Sequence, residues 1–306
     1  MADYTTIDNP TKHFNTVLYT GTGSSQSITG VGFQPDWVWT KQRNGTASHG
    51  LTDSVRGLDK YVSSEQGIAE YSLSNNGLSS FDSDGFTVVS HAMYNGSSNT
   101  YASWNWLGAN GTASNSDGSI TSTVSANQTA GFSVVTYTSN NTSSNETVGH
   151  GLGVKPDMVI TKNRDSGYNW DIYHSSLGYN ANLIFTTAAT RSGAFGTSEP
   201  TSTVFRTSPS FTTNLTNKYV AYCFAGKQGY SKFGKYTGNG NASGAFIYTG
   251  FSPAFIIIKR TDTTAEWHMI DNKRNTFNTV NNVLSPNTTG SEATTSSNPI
   301  DFTSQG

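Results

Sequence analysis

Cysteine is all but missing from this chain: its 306 residues include one, Cys223. No intramolecular disulfide can form, so stability has to come from packing and hydrogen bonds. Charge is scarce as well. Only 12% of residues are charged, the formal net charge is −2, and Lys and Arg form no basic cluster. Binding of nucleic acid through phosphate neutralisation is therefore not expected. No apolar run is long enough to span a bilayer, and no signal-peptide core is visible. Neither membrane insertion nor directed export is expected.

Familiar reactive patterns are lacking too. There is no His-Glu-x-x-His pair, no Cys cluster and no Gly-x-Ser-x-Gly elbow. His13, His49, His91, His150, His174 and His268 are scattered without ligand spacing. Asp82-Ser83-Asp84-Gly85 looks like the start of a calcium loop, but the distal Glu of such loops is absent. A turn capped by Asp side chains is the simpler reading. Glycosidase chemistry needs two carboxylates roughly 5–10 Å apart, and no carboxylate pair recurs along the chain. The expectation is a protein that is not an enzyme and carries no metal or cofactor.

What the chain does have is aromatic and small polar residues: 15 Tyr, 16 Phe, 6 Trp and 31 Gly amid abundant Ser, Thr and Asn. A disordered polar chain would be poor in aromatics. This composition describes an all-β protein of many short strands joined at glycine turns. It also has the look of a surface that meets the outside of a cell. A protein released by lysis, such as a virion component, fits both that look and the missing export signal.

One phrase occurs three times. Gly32-Phe33-Gln34-Pro35-Asp36-Trp37-Val38-Trp39-Thr40-Lys41 returns as Gly153-Val154-Lys155-Pro156-Asp157-Met158-Val159-Ile160-Thr161-Lys162. It returns again as Gly250-Phe251-Ser252-Pro253-Ala254-Phe255-Ile256-Ile257-Ile258-Lys259. Three copies mean one structural module used three times. Only apolarity is kept at the Trp37 and Trp39 positions, so the phrase reads as the module's central strand. Pro fits the first position of such a strand. A second match follows, setting His49 through Asp53 against Trp170 through His174 and Trp267 through Asp271. A closing strand, Tyr101 through Trp106, matches Tyr219 through Phe224. Alternation puts Ala102, Trp104 and Trp106 on one face, and Val220, Tyr222 and Phe224 on its counterpart. Cys223 lies in the latter strand and reads as a small buried hydrophobe.

The expected organisation is an N-terminal arm (1–13), a first β-sandwich module (14–108), a Ser/Thr/Asn-rich linker with one edge strand (109–131), a second module (132–226) and a third, incomplete module (230–306). Phe302 through Gly306 aligns with Phe81 through Gly85, and the first copy's closing strand has no counterpart. Either the natural chain is longer, or another chain supplies the missing strands.

Candidate binding residues are few. Trp170 and Trp267 sit at equivalent positions, and exposed aromatic rings stack on sugar faces. Tyr94, Tyr168 and Tyr173 lie in or near loops. Asp53 with Arg56, and Asp271 with Arg274, suit vicinal hydroxyls. For each there is a plainer reading, core packing for the rings and a turn-pinning ion pair for the charges. The carbohydrate-binding set taken forward is Trp170, Trp267, Tyr168, Tyr94, Asp53, Arg56, Asp271 and Arg274.

Taken together, Tyr4 through Pro10, Tyr19-Thr20-Gly21, Phe33-Gln34-Pro35-Asp36, Val148 through Pro156 and Gly229 through Gly234 resemble tandem-repeat virion proteins of tailed bacteriophages of marine bacteria. The resemblance covers nearly the whole chain. It implies lectin-like or jelly-roll-like antiparallel β-sandwich modules in a tail fibre, knob or capsid-attached fibre. The expected function is structural, with a contribution to host-surface glycan recognition. A purely architectural connector is the alternative, and a polysaccharide-degrading spike a third reading. Implied partners are other virion proteins, host polysaccharide and further copies of the chain, in a homo-oligomer such as a trimer. No heptad segment is present to enforce a trimer. The implied location is the virion, after synthesis in the host cytoplasm.

Overall fold

The computed structural model describes residues 5–140, 146–192, 195–196, 198–207, 216–241, 243–295 and 300–306. The chain is all-β, as its composition implies; among the described residues there is one short helix, α1 (Ala92–Asn95), and a 3-10 turn at Pro10–Lys12. The first copy contains β1 (Phe14–Thr20), β2 (Gln26–Ile28), β3 (Trp37–Gln42), β4 (Gly50–Asp53), β5 (Lys60–Tyr61), β6 (Tyr71–Ser72), β7 (Leu78–Asp82), β8 (Gly85–Val88) and β9 (Thr100–Trp106). Its main sheet has the order β1-β9-β3-β4, antiparallel throughout, and a smaller sheet β2-β8-β7 covers one face. Val38, Phe33, Phe86, Val88 and Tyr94 are buried between the two layers.

The second copy repeats the plan. It comprises β10 (Ala113–Asn115), β11 (Ser122–Asn127), β12 (Phe132–Thr138), β13 (Thr147–Gly149), β14 (Met158–Asn163), β15 (Asp171–His174), β16 (Ala181–Asn182), β17 (Arg191–Ser192), β18 (Val204–Arg206) and β19 (Lys218–Phe224). The main sheet runs β10-β11-β12-β19-β14-β15, with the pair β13-β18 as a separate ladder. The segment expected to be a linker thus supplies two strands, β10 and β11, that extend this sheet. Ser122 and Val124 on β11 turn inward while Thr123 is exposed, the period-two pattern of a half-covered strand.

The third copy holds β20 (Phe255–Lys259), β21 (Trp267–Asp271), β22 (Asn282–Val283) and β23 (Ala293–Thr294). Here the signature strand β20 pairs only with β21 among the described residues. Its counterparts β3 and β14 lie between two partners each. Gly306 occupies the place of Gly85: a Cβ there would lie 2.0 Å from the carbonyl oxygen of Ile247, just as one on Gly85 would lie 2.0 Å from that of Ile28. The alignment of the two phrases therefore holds in three dimensions.

The other face of the three main sheets is where the copies meet. Trp37 and Trp39, Met158 and Ile160, Phe255 and Ile257 all point into one hydrophobic core. Leu51, Ile172 and Met269 join them, each bridged antiparallel to its own copy's Val62, Leu183 or Leu284. Closing-strand residues Trp104, Trp106, Tyr222 and Phe224 complete it. Trp37 stacks on Trp106 of its own copy at 4.3 Å between ring centroids, and on Tyr222 of the second copy at 4.0 Å. Three self-contained sandwiches in a row would bury these rings separately. Instead one interior is shared.

Truncating Trp37 removes the ring on which two copies stack. Trp37→Ala is expected to cost about 3–5 kcal/mol and to lower one common transition. Calorimetry should show a single unfolding event for all three copies, with calorimetric and van't Hoff enthalpies equal. Separate transitions would show that the copies fold independently.

Candidate functional site

The charged corner of each module lies where one copy meets the next. In the first copy Arg56 folds back on Asp53, and both side chains are fully buried. Arg56 also donates to the Leu51 carbonyl at 2.8 Å, to Glu70 at 3.0 Å and to the Tyr222 hydroxyl of the second copy at 3.0 Å. The Tyr222 hydroxyl in turn donates to Asp53 at 2.8 Å. Arg164, from the end of β14, grips Glu70 with both Nε and Nη2 at 2.9 Å. Burial opposes the charge on Arg56, but Asp53, Tyr222 and Glu70 outweigh it and raise its pKa. Glu70 is held below the usual carboxylate range, with Arg164 and Arg56 overcoming its own desolvation.

The same device joins the third copy to the first. Arg274 contacts Asp271 at 2.6 Å, the Met269 carbonyl at 2.8 Å and Glu292 at 3.2 Å. Trp104 of the first copy donates its indole N–H to Asp271 at 3.1 Å, taking the role of Tyr222. Arg43 binds Glu292 through Nε at 3.0 Å and Nη2 at 2.8 Å. Between the second and third copies the device is missing among the described residues. His174 and Leu177 stand at the Asp and Arg positions. Backbone N–H groups of Glu70, Glu292 and Thr190 donate to Arg164, Arg43 and Thr261, respectively. Thr190 therefore replaces the Glu, and Arg260 pairs with exposed Asp262.

A second set of contacts runs the opposite way around the ring. The indole N–H of Trp170 donates to the Ser63 carbonyl of the first copy at 2.8 Å, and that of Trp267 to the Ile184 carbonyl of the second at 3.0 Å. His49 holds the equivalent position. Trp39 donates to its Nδ1 at 2.9 Å, so Nε2 carries the proton and faces the Ser285 carbonyl at 3.1 Å. Burial, with help from the charge on Lys41, pushes the His49 pKa down to about 3. The signature lysines also serve the ring. Lys41 donates to the Thr289 carbonyl of the third copy at 3.0 Å, and Lys259 to the Thr187 carbonyl of the second at 3.2 Å. Burial lowers the pKa of Lys41 and of Lys162 to about 8.

These contacts correct most of the expected binding set. Trp170 and Trp267 are 1% and 4% exposed and cannot stack on a sugar. Asp53 with Arg56, and Asp271 with Arg274, form buried ion pairs within their own copies at the seams, so vicinal hydroxyls have no access to them. Tyr94 is fully buried, with its hydroxyl 2.9 Å from that of Thr52. Core packing and turn pinning hold at every one of these positions. Tyr168 is the exception, half-buried beside a narrow cavity of about 20 Å³ in the second copy. Asn169, Asp171, Arg206, Tyr137 and Tyr219 line the same cleft. Asp171 stands in register where the first copy has Gly50. At Gly50 a Cβ would come within 2.5 Å of the Tyr94 ring, so glycine lets that ring fill the space. The second copy puts a carboxylate there, which accepts from the Asn182 amide at 2.7 Å.

Glu70, Glu292, Arg43 and Arg164 were not singled out by sequence. The two Arg do recur just after the signature Lys. The Glu partners are masked by loop length, lying 14 residues past Arg56 and 18 past Arg274. The Asp82–Gly85 segment is a hairpin turn in which Asp84 accepts from the Gly30 and Gly32 N–H groups at 3.0 and 2.7 Å. Cys223 is fully buried, and burial pushes its thiol pKa up.

Fold and contacts define a class: an all-β protein in which three repeats pack cyclically around one interior. The chain belongs to the family described as Domain of unknown function (DUF7483), which matches residues 9–306. That match runs across all three copies as one unit. No curated protein and no solved structure matches the chain.

Two measurements probe the ring. Arg56→Leu strands the buried Asp53 charge and should cost about 3–5 kcal/mol in urea unfolding. Adding Asp53→His, which copies the second copy's corner, should recover part of that loss. For His49, the unfolded ring binds a proton below about pH 6.5 while the folded one resists until about pH 3. Its contribution is therefore present above pH 6.5 and lost as pH falls. Between pH 7 and 5 the loss should be about 2 kcal/mol, and His49→Gln should flatten that part of the stability profile.

Proposed function

We propose that the chain is a structural component of a bacteriophage virion appendage, such as a tail fibre, knob or capsid-attached fibre. The observation that carries this reading is the welding of three copies into one body. The largest aromatic side chains and the buried Arg–carboxylate groups are spent on holding copies together. A part that transmits load between neighbours needs such stiffness, and the repeat phrases resemble virion proteins in the same stretches.

The burial of Trp170, Trp267 and both Asp–Arg pairs favours architecture as the main role. A contribution to glycan recognition rests on the cleft beside Tyr168. Its interior, about 20 Å³, holds no more than a water, so a sugar would lie against the rim at half-buried Tyr168 rather than enter it. One weak site per chain would gain strength by repetition in an oligomeric appendage.

Mass spectrometry of purified particles and gold-labelled antibodies in electron micrographs test the structural reading. The chain should be found in particles and be labelled at an appendage. Presence in the lysate but not in particles would overturn it. For the cleft, Tyr168→Ala should weaken binding to host-surface polysaccharide by about fivefold, the loss of one stacking contact. Unchanged binding would remove the cleft from the account.

A further inference from the structure

The inner face of the second copy's main sheet runs on beyond the shared core. Val134 on β12 and Val220 on β19 lie inside that core. Two residues outward on the same face of each strand stand Thr136 and Lys218. Thr138 follows Thr136 and lies directly opposite Lys218. Strand β11, from the segment between the copies, sets Thr123 opposite Thr136. With Thr121 and Arg164 these side chains line a basin of about 400 Å³. That volume falls in the range of small-molecule sites, roughly 300–1,000 Å³.

The first copy shows what is particular to this place. Strand register puts Leu18 where the second copy has Thr136, and Thr100 where it has Lys218. Leu18 packs against the shared core. The second copy has thus exchanged an apolar side chain for a hydroxyl, and a hydroxyl for a cation. In the first copy β1 is the edge of its sheet among the described residues, so the wall that β11 provides is absent there.

The polar groups of the basin are left for a ligand. Among the described residues, the hydroxyls of Thr121, Thr123, Thr136 and Thr138 make no hydrogen bond within the protein. Glu70 takes Nε and Nη2 of Arg164 and leaves Nη1 over. The ammonium of exposed Lys218 also has no partner among the described residues, since Asp165 is engaged by the Lys218 main-chain N–H at 2.7 Å. Glu70 offsets the charge of Arg164, so Lys218 adds an uncompensated positive charge. No carboxylate is among the described lining residues. We propose that the basin binds an anionic oligosaccharide. One sugar carboxylate or sulfate sits between Lys218 and Arg164 Nη1, where charge-assisted hydrogen bonds form, and the sugar hydroxyls lie along the threonines. The inference rests on the glycan-recognition part of the proposed function and gives it a second site, distinct from Tyr168. A free inorganic anion would leave most of the volume empty, and nucleic acid calls for a row of cations.

The test is titration calorimetry of the full chain with three tetrasaccharides: an alginate fragment carrying carboxylates, a carrageenan fragment carrying sulfates, and neutral cellotetraose. At least one anionic fragment should bind saturably, and the tighter of the two names the acidic group. Cellotetraose should bind at least tenfold more weakly. Lys218→Gln should weaken anionic binding about tenfold, the loss of a charge-assisted contact, whereas Lys218→Arg should retain it. Thr136→Leu, which restores the first copy's residue, should also weaken it. Melting temperatures close to the parent's show that these variants fold. Tyr168→Ala should leave anionic binding unchanged. No saturable binding of either anionic fragment would overturn the proposal, as would equal binding of cellotetraose or indifference to Lys218→Gln. Loss of binding in Tyr168→Ala with Lys218→Gln unaffected would keep glycan recognition and overturn the basin as its site.

Discussion

Everything in this structure depends on where the inner faces of three sheets go. A half-buried sheet has to cover its apolar face with something. Here each main sheet covers that face with the other two, and Trp37 shows the result most directly. Its ring lies between an aromatic of its own copy and one of the next. Its indole N–H has no hydrogen-bond partner among the described residues, a cost of about 1–3 kcal/mol that the stacked rings outweigh. Once the interior is shared, no copy can be moved without exposing the others. The charged corners, the indole-to-carbonyl bonds and the buried lysines then follow as ways of satisfying polar groups at seams that are already dry.

The seams are alike in backbone and unlike in chemistry. Each has a carbonyl of one copy accepting from a ring nitrogen or indole of another, through His49, Trp170 or Trp267. Two of the three also bury an Arg between an Asp and a Glu. Such buried ions tend to contribute more to specificity of docking than to net stability. The apolar version between the second and third copies shows that the backbone tolerates either solution.

Much of this was legible in sequence, and the limit has a physical cause. Repetition of the Pro-led phrase revealed three modules, because a central strand must keep its apolar alternation. Equivalence of His49, Trp170 and Trp267 was also readable. Their role was not. An indole at a strand end has the same sequence signature whether it faces a sugar or the carbonyl of a neighbouring module. In the same way, the pattern of Trp37 and Trp39 says that a face is covered and not what covers it. The Ser- and Thr-rich stretch before Phe132 read as a connector with one edge strand. It supplies two strands because the edge of β12 was open to pairing and alternate Ser and Val side chains fit a half-covered surface.

The ring places its strongest seams without regard to chain order. Arg43 and Glu292, which join the first and third copies, are separated by 249 residues. Neighbours in sequence, the second and third copies, share the seam that has no buried ion pair among the described residues. Contact order is thus high by construction, and folding is correspondingly slow. During synthesis the first copy emerges with Trp104 and His49 still awaiting partners in the third. Ribosome-bound chains therefore carry an unfinished interior until the stretch from Asp271 to Glu292 has emerged, and in the cell this fold is one for chaperones to shelter.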